Sequence, residues 1–297
     1  MGANISEFFG YAPDDRSPTA VAARSAFDCP FQPGQCTKRL RDKAIAGTCT
    51  LRTGKGVDVV ICPIRLYGQN HKILQDIADE AFGAGTRLVD GKQAHHEHQD
   101  GRVVAVFGKG RGGELRLPRG AGGRGGYFVD WVIALLDTDG ELDEFVAIEV
   151  QSIDTTGSYR DQRDALLEGR WAPTTAGLNW ENVAKRILPQ LLYKGNVLRR
   201  EHRCRKGLFF VCPTPVYDSF ENRIGGKPQE FPQQPGALTF RSYDPGPDKG
   251  EGQVRDLVFN RQVTTTLEQV ATAIAGTQGL PDPNVYAKAI EQVLKGG

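Results

Sequence analysis

The most restrictive feature of this chain is the stretch from Tyr127 to Ser152, YFVDWVIALLDTDGELDEFVAIEVQS, in which two apolar runs fold back around an Asp-Gly. Each run suits a buried strand, and each is interrupted by one acid, Asp130 in the first and Glu149 in the second. A two-residue type I′ turn at Asp139-Gly140 sets the register of such a hairpin. It pairs Asp130 with Glu149, with Cβ atoms about 4.5–5.5 Å apart, and puts Gln151 on the same face two residues on. The opposite face pairs Val129 with Val150, Trp131 with Ile148 and Ile133 with Val146, all apolar. A longer symmetric loop preserves this pairing, whereas a bulge or a slip of one residue destroys it.

Two facing carboxylates on half-buried strands repel each other unless one is protonated or a cation lies between them. A hard divalent ion held by carboxylate and carbonyl oxygens removes the repulsion, and Mg2+ suits that donor set. Such an ion polarises a phosphoryl oxygen and acidifies a bound water, which is what phosphodiester hydrolysis needs. The alternative is that one or both acids form ion pairs with nearby arginines.

A partner with a phosphate backbone normally leaves a basic footprint, yet the formal net charge is only +1. The distribution is less neutral. Six Lys/Arg fall between Arg102 and Gly126 against Glu114 alone, and six more between Lys194 and Lys206 against Glu201. Either run, taken singly, is also what a solvated face looks like. With 39% hydrophobic and 25% charged residues the chain has an ordinary globular composition. It contains no run of apolar residues of membrane-spanning length and no basic start followed by an apolar core, so a cytoplasmic, bacterial protein without a membrane partner is expected.

Residues 1–68 are rich in Pro, Gly and Cys, weakly periodic, and read as loops and short strands held by something other than a core. Residues 69–297 form the second unit. Helical spacing of Ile73, Leu74, Ile77, Ala78, Ala81 and Phe82 predicts a helix from Gln69 to Phe82 that ends at Gly83. RVVAVF, ELRL, the two hairpin runs and GLFFVCP read as strands, and Asn182–His202 as a helix despite Pro189. The Pro- and Gly-rich segment from Pro213 to Gly252 reads as long loops over the core, and the end as two helices, Thr265–Ala275 and Asn284–Leu294.

Four cysteines, Cys29, Cys36, Cys49 and Cys62, lie in the N-terminal unit, in a chain whose composition does not suggest a disulfide framework. Their spacing lacks the close C-x2-C pairs usual in tetrathiolate sites, so it admits both a metal site and buried thiols acting as small hydrophobes. A region with so weak a core needs a cross-link, which favours the metal, zinc or iron. Cys204 and Cys212 read as structural. GKGRGG and GAGGRG both fit G-x-G-x-x-G, but strands rather than helices follow them, which excludes a dinucleotide loop. Glycines interleaved with Lys109, Arg111, Arg119 and Arg124 suit a backbone that approaches DNA phosphates, with a plain flexible loop as the alternative. His95, His96 and His98 in QAHHEHQDG read as a solvated loop rather than a metal site.

DWVIALLD, FVAIEVQSIDTTGSYR and FDCPFQPGQC together resemble the NotI-type restriction endonucleases of the PD-(D/E)xK superfamily, over roughly residues 27–220. The long phrase IEVQSIDTTGSYR is far more specific than the short nuclease signature. The resemblance implies an α/β fold: a PD-(D/E)xK core, a mixed sheet flanked by helices, with an N-terminal four-cysteine metal-binding subdomain. It implies a type II endonuclease acting as a homodimer on double-stranded DNA at a GC-rich palindrome, and functionally paired with a cognate DNA methyltransferase. Carried over residue by residue, Asp130 and Glu149 become Mg2+ ligands with the Val150 carbonyl as a third, and the four cysteines hold structural iron, or zinc. Gln151 stands where lysine is usual; an amide is neither acid nor base, so it can only orient the attacking water. Glu114 corresponds to an additional acid near the metal, or else pairs with Arg111 or Arg116. Arg160, in TTGSYR, joins the basic residues expected on DNA. Two other functions fit the same residues: a non-catalytic DNA-binding or regulatory protein on a nuclease-like core, and a structure-specific repair nuclease.

Overall fold

Alternation along the hairpin strands, apolar on both faces, requires a sheet covered on two sides, and the computed structural model has one. It describes residues 2–97, 102–115, 128–275 and 282–295. In chain order the elements are β1 (Asn4–Phe8), α1 (Pro18–Ala26), β2 (Thr48–Arg52), β3 (Asp58–Val60), α2 (Gly68–Phe82), β4 (Arg87–Asp90), α3 (Gly91–Glu97), β5 (Val103–Gly108), β6 (Trp131–Leu136) and β7 (Leu142–Val150). There follow β8 (Thr155–Thr156), α4 (Arg160–Leu167), β9 (Gly177–Leu178), α5 (Leu188–Leu198), β10 (Leu208–Pro213), α6 (Thr214–Arg223), β11 (Ala237–Pro245), β12 (Leu257–Thr266), α7 (Leu267–Ala275) and α8 (Val285–Lys295).

Seven strands form a mixed sheet in the order β12-β11-β10-β7-β6-β5-β4. The β6–β7 pair is antiparallel, β10 runs parallel to both β7 and β11, and β4 runs parallel to β5. Side chains alternate between two buried layers. Ile133, Ile148, Phe209 and Val211 meet the apolar stripe of α2 on one face. Ala147, Leu208, Phe210 and Phe240 meet α5, α6 and α7 on the other. Strands buried on both sides are the reason the hairpin reads as near-continuous apolar runs.

The expected hairpin register is present, with Trp131 opposite Ile148 and Ile133 opposite Val146. The turn differs. Asp137 Oδ1 accepts from the amides of both Asp139 and Glu141, which opens the loop, and the ladder shifts between Leu135 and Leu136. That irregularity sits at the tip, so it leaves the pairing toward Asp130 intact.

Helix α2 begins irregularly, because Gln69, Asn70 and His71 adopt positive φ before the regular helix that ends at Gly83. The segment read as long loops after Pro213 instead contains α6 and β11, and β12 follows it. Composition misled here: Arg241, inside β11, is accommodated by Gln262 across the ladder at 2.6 Å and by the face of Phe259. Of ELRL, Glu114 and Leu115 lie outside any strand, and the next two residues fall beyond those described.

At the N-terminal end, β1, β2 and β3 form a small antiparallel sheet. Phe8, Phe9, Leu51, Val59 and Ile61 share a buried cluster with Ala147, Ile153 and the helices, so these strands pack on the main core. Glu7, fully buried, receives Arg65 at 2.9 Å and Arg255 at 3.1 Å, tying β1 to the segment before β12. A charge pair so deeply buried fixes how the elements fit together more than it adds net stability.

Candidate active site and cysteine cluster

Asp130 precedes β6, and its Oδ2 accepts the Val150 amide at 2.8 Å. Glu149 sits on β7 beside it, 3% exposed, and Gln151 follows where β7 leaves the sheet, its own amide bonded to the Val211 carbonyl at 3.0 Å. Asp130 is exposed, with its Oδ2 held on the Val150 amide. Burial first, and then the charge of Glu149, push Asp130 up to about 6, while the Val150 amide and Lys194 pull the other way. The structure thus brings together the two facing acids read from the hairpin.

The anchor of the pair is Trp131, 2% exposed, whose ring meets Tyr67 edge-on at 5.4 Å and His71 at 5.1 Å. An ideal Cβ at Gly108 would fall 2.2 Å from the Trp131 ring, so only glycine lets β5 pass this close. Tyr67 is held well above the usual phenol range by burial and then by Asp130.

Glu149 is the centre of the polar contacts. Its Oε1 accepts from Lys194 Nζ at 2.5 Å and from Gln151 Nε2 at 3.0 Å, and Gln151 Nε2 also approaches Gln190 Oε1 at 3.4 Å. Its Oε2 is buried and has no hydrogen-bond partner among the described residues. Two carboxylates with an unsatisfied inward oxygen match the donor set of a hard divalent cation. Lys194 and Gln190, one turn apart on α5, escaped the sequence reading because their approach is tertiary. The only signal was the place of Lys194 at the start of a basic run.

A cleft of about 960 Å³ runs from Asp130, Glu149 and Gln151 past the Ser152–Arg160 loop to Thr37–Asp42. It carries Arg39, Arg41, Arg160 and Arg186 on its walls. Asp154 organises one wall by accepting from Asn182 at 2.8 Å and Arg186 at 3.0 Å. Arg160, expected on DNA, lines this cleft and pairs with Asp42 across it. Sequence reading missed Arg39 and Arg41, which lie outside both basic runs.

The other expected contacts are dispersed. Lys109 is exposed, whereas Arg111 is tied to Asp90 at 2.8 Å and to the Leu88 carbonyl, so it braces the β4–β5 edge. Gly112, at φ +69°, faces the Val106 carbonyl so closely that a Cβ would lie 1.8 Å from it. Its glycine is explained by the chain folding back on β5, and no helix directly follows it among the described residues. Arg119 and Arg124 lie outside the described residues. Glu114 is exposed and near enough to Asp130 to raise it, and Arg111 is not its partner.

Cys49 lies on β2 and Cys62 just after its neighbour β3, and Cys29 and Cys36 bound the loop after α1, where Cys29 N bonds Gly34 O and Cys36 N bonds Phe27 O. Burial pushes Cys29 up to about 11, and the charges of Cys62 and Cys36 act in the same direction. Cys49 is raised by burial and then by Cys62 and Glu7. The four thiols therefore share one neighbourhood, although among the described residues no group of three or more His, Cys, Asp or Glu is arranged to hold a metal ion. Lys38 Nζ donates to the Ile61 carbonyl at 2.6 Å within the same neighbourhood. Cys204 and Cys212 are buried in the core as expected.

A family model described as restriction endonuclease NotI matches residues 17–222, a span that includes the acids, Gln151, Lys194 and all four N-terminal cysteines. The chain belongs to the NotI restriction endonuclease family. It is a type II site-specific deoxyribonuclease, and as a restriction endonuclease it binds double-stranded DNA. No curated protein matches the chain. No helix among the described residues is long and apolar enough to cross a membrane.

Proposed function

We propose that this NotI-family enzyme hydrolyses both strands of a GC-rich palindrome with Mg2+, leaving 5′-phosphate and 3′-hydroxyl ends, from a PD-(D/E)xK core. The observation that carries the reading is the Asp130–Glu149 pair at the cleft, with one buried Glu149 oxygen lacking a hydrogen-bond partner among the described residues. Asp130, Glu149 and the Val150 carbonyl would hold the ion, which when bound offsets the charge of the phosphate and lowers the pKa of water. Gln151 orients the attacking water, and Glu114, exposed beside Asp130, is a further acid at the rim. Water oxygen bonds to phosphorus in line and gives up a proton to solvent, the bond to the 3′ oxygen breaks, and the leaving oxygen takes up a proton from solvent.

Arg39, Arg41 and Arg160 contact phosphates along the cleft, and Lys109, Arg119 and Arg124 remain DNA contacts on the strength of the sequence; Arg111 is left to its structural role. Cys29, Cys36, Cys49 and Cys62 hold an iron or zinc ion that cross-links the N-terminal unit, residues 1–68, to itself. Supporting that assignment are the donor chemistry, which suits a soft tetrahedral ion, and the mutual charge interactions of the four thiols. A palindrome presents two equivalent strands about a two-fold axis, which a homodimer matches with two equivalent sites. An endonuclease of this kind needs a methyltransferase that protects the same sequence in its host.

Incubation with plasmid DNA of mixed sequence and Mg2+, followed by mapping of the ends, tests the reading. Discrete fragments ending at one GC-rich palindrome support it. Binding without cleavage indicates a regulatory protein on a nuclease-like core, and cleavage confined to branched or damaged DNA indicates a repair nuclease.

A further inference from the structure

Phosphodiester hydrolysis concentrates negative charge on the transferred phosphoryl group, and the residues of the hairpin supply no cation to meet it. Asp130 and Glu149 together carry two negative charges that one divalent ion only balances, and Gln151 is a neutral amide. The ammonium at this centre arrives from elsewhere in the fold. Lys194 projects from α5, with its side chain 19% exposed, and its Nζ lies 2.5 Å from Glu149 Oε1. That is the same oxygen that accepts Gln151 Nε2 at 3.0 Å. The other oxygen, Oε2, is left without a partner among the described residues. Gln190, one turn earlier on α5, meets Gln151 Nε2 at 3.4 Å, so a single helix face supports both side chains.

The division of labour between the two oxygens is the informative part. Had Lys194 served only to neutralise a buried acid, either oxygen or both would do. Here the amide and the ammonium converge on Oε1, which fixes the carboxylate plane and reserves Oε2. An ammonium has three N–H donors and one is spent on Glu149. Among the described residues no other acceptor meets Lys194 Nζ, which leaves two N–H groups for an incoming phosphate.

We infer that Lys194 is a catalytic lysine of this nuclease centre, delivered by helix α5 in place of the hairpin position occupied by Gln151, where it orients Glu149 and binds the scissile phosphate. The inference rests on the nuclease reading given above. Cation donors of this kind act where charge develops and cost little reorganisation, because the helix holds them in advance.

The test compares Lys194→Met, Lys194→Arg and the double variant Lys194→Met with Gln151→Lys. Three readouts are taken: single-turnover cleavage of cognate DNA at saturating Mg2+, DNA affinity in Ca2+, and the melting temperature. Lys194→Met should slow cleavage by about 10²- to 10³-fold while Ca2+-supported binding persists. Lys194→Arg, or the lysine restored at 151, should recover part of the lost rate. Wild-type cleavage by Lys194→Met once Mg2+ saturates, whatever its melting temperature, would overturn the inference and leave Lys194 as a counter-ion of the metal-free acids. A loss that neither the arginine nor the restored lysine relieves would also overturn it. Should the Met variant not fold, Lys194→Gln carries the same comparison. Failure of the wild-type protein to cut any DNA counts against the nuclease reading itself and is seen in a separate reaction.

Discussion

The Val150 amide donates to Oδ2 of Asp130 across 2.8 Å, so the strand that carries Glu149 also fixes the orientation of the acid facing it. Position 150 is thereby set between two carboxylates, its N–H turned to one and its chain neighbour the other. The charge of Glu149 adds to burial in raising Asp130.

The rise has a pH signature. Asp130 rises from 3.8 in an open chain to about 6 in the fold. A carboxyl raised in this way contributes stability that is fully present below its unfolded value and lost as the pH climbs through its folded one. In EDTA, Asp130→Asn should therefore melt close to wild type near pH 4 and progressively above it towards about pH 7, since the Asn carbonyl can still accept the Val150 amide. Mg2+ should reverse the order by stabilising only the wild type. Melting curves across this range check the prediction, and an offset that does not vary with pH would contradict it.

Legibility of the site in the sequence followed the range of the interactions. The register of Asp130 and Glu149 could be read because side-chain direction has a period of two along a strand, and the turn irregularity at Leu136 lies outside the segment that matters. The turn itself could not, since it depends on Asp137 folding its carboxylate onto two downstream amides. Strand β11 was hidden by prolines around it and by Arg241, whose partners Gln262 and Phe259 belong to another strand. Lys194 was visible as a charge in a basic run, but nothing local tied it to an acid 45 residues earlier in the chain.

The close passage of β5 over Trp131 is the tightest packing constraint beside the site. Gly108→Ala would set a methyl 2.2 Å from the Trp131 ring, and the indole is next in sequence to Asp130. Overpacking of this kind costs about 1–3 kcal/mol. Denaturant titration should show that loss, and Mg2+-dependent cleavage should fall with it because Asp130 shifts. An unchanged midpoint would mean that the ring has room to move.

Arg39 and Arg41 are exposed on the cleft wall opposite the acids. Replacing both with Ala should weaken DNA binding to cognate and unrelated sequences alike and reduce the salt slope by about one for each phosphate that is no longer neutralised. Binding titrations at several salt concentrations read this directly. Loss of preference for the cognate site with an unaltered slope would assign these residues to base reading.

Purified chain should contain about one iron or zinc per polypeptide by elemental analysis, held by Cys29, Cys36, Cys49 and Cys62. The double variant Cys36→Ser, Cys49→Ser should lose the metal and melt at a lower temperature, because the small sheet then keeps only its packing on the main core. Metal-free protein with the same melting temperature as the isolated material would contradict the cross-link.

The most direct measurement is of Glu149→Gln, which keeps the size of the side chain and its bonds to Lys194 and Gln151 within reach while removing the charge. Cleavage of cognate DNA in Mg2+ and binding of the same DNA in Ca2+ are to be measured side by side. The account predicts that cleavage falls to background while the Gln variant still binds its cognate sequence in preference to others. Cleavage at the wild-type rate would contradict the assignment of the Asp130–Glu149 pair as the catalytic centre.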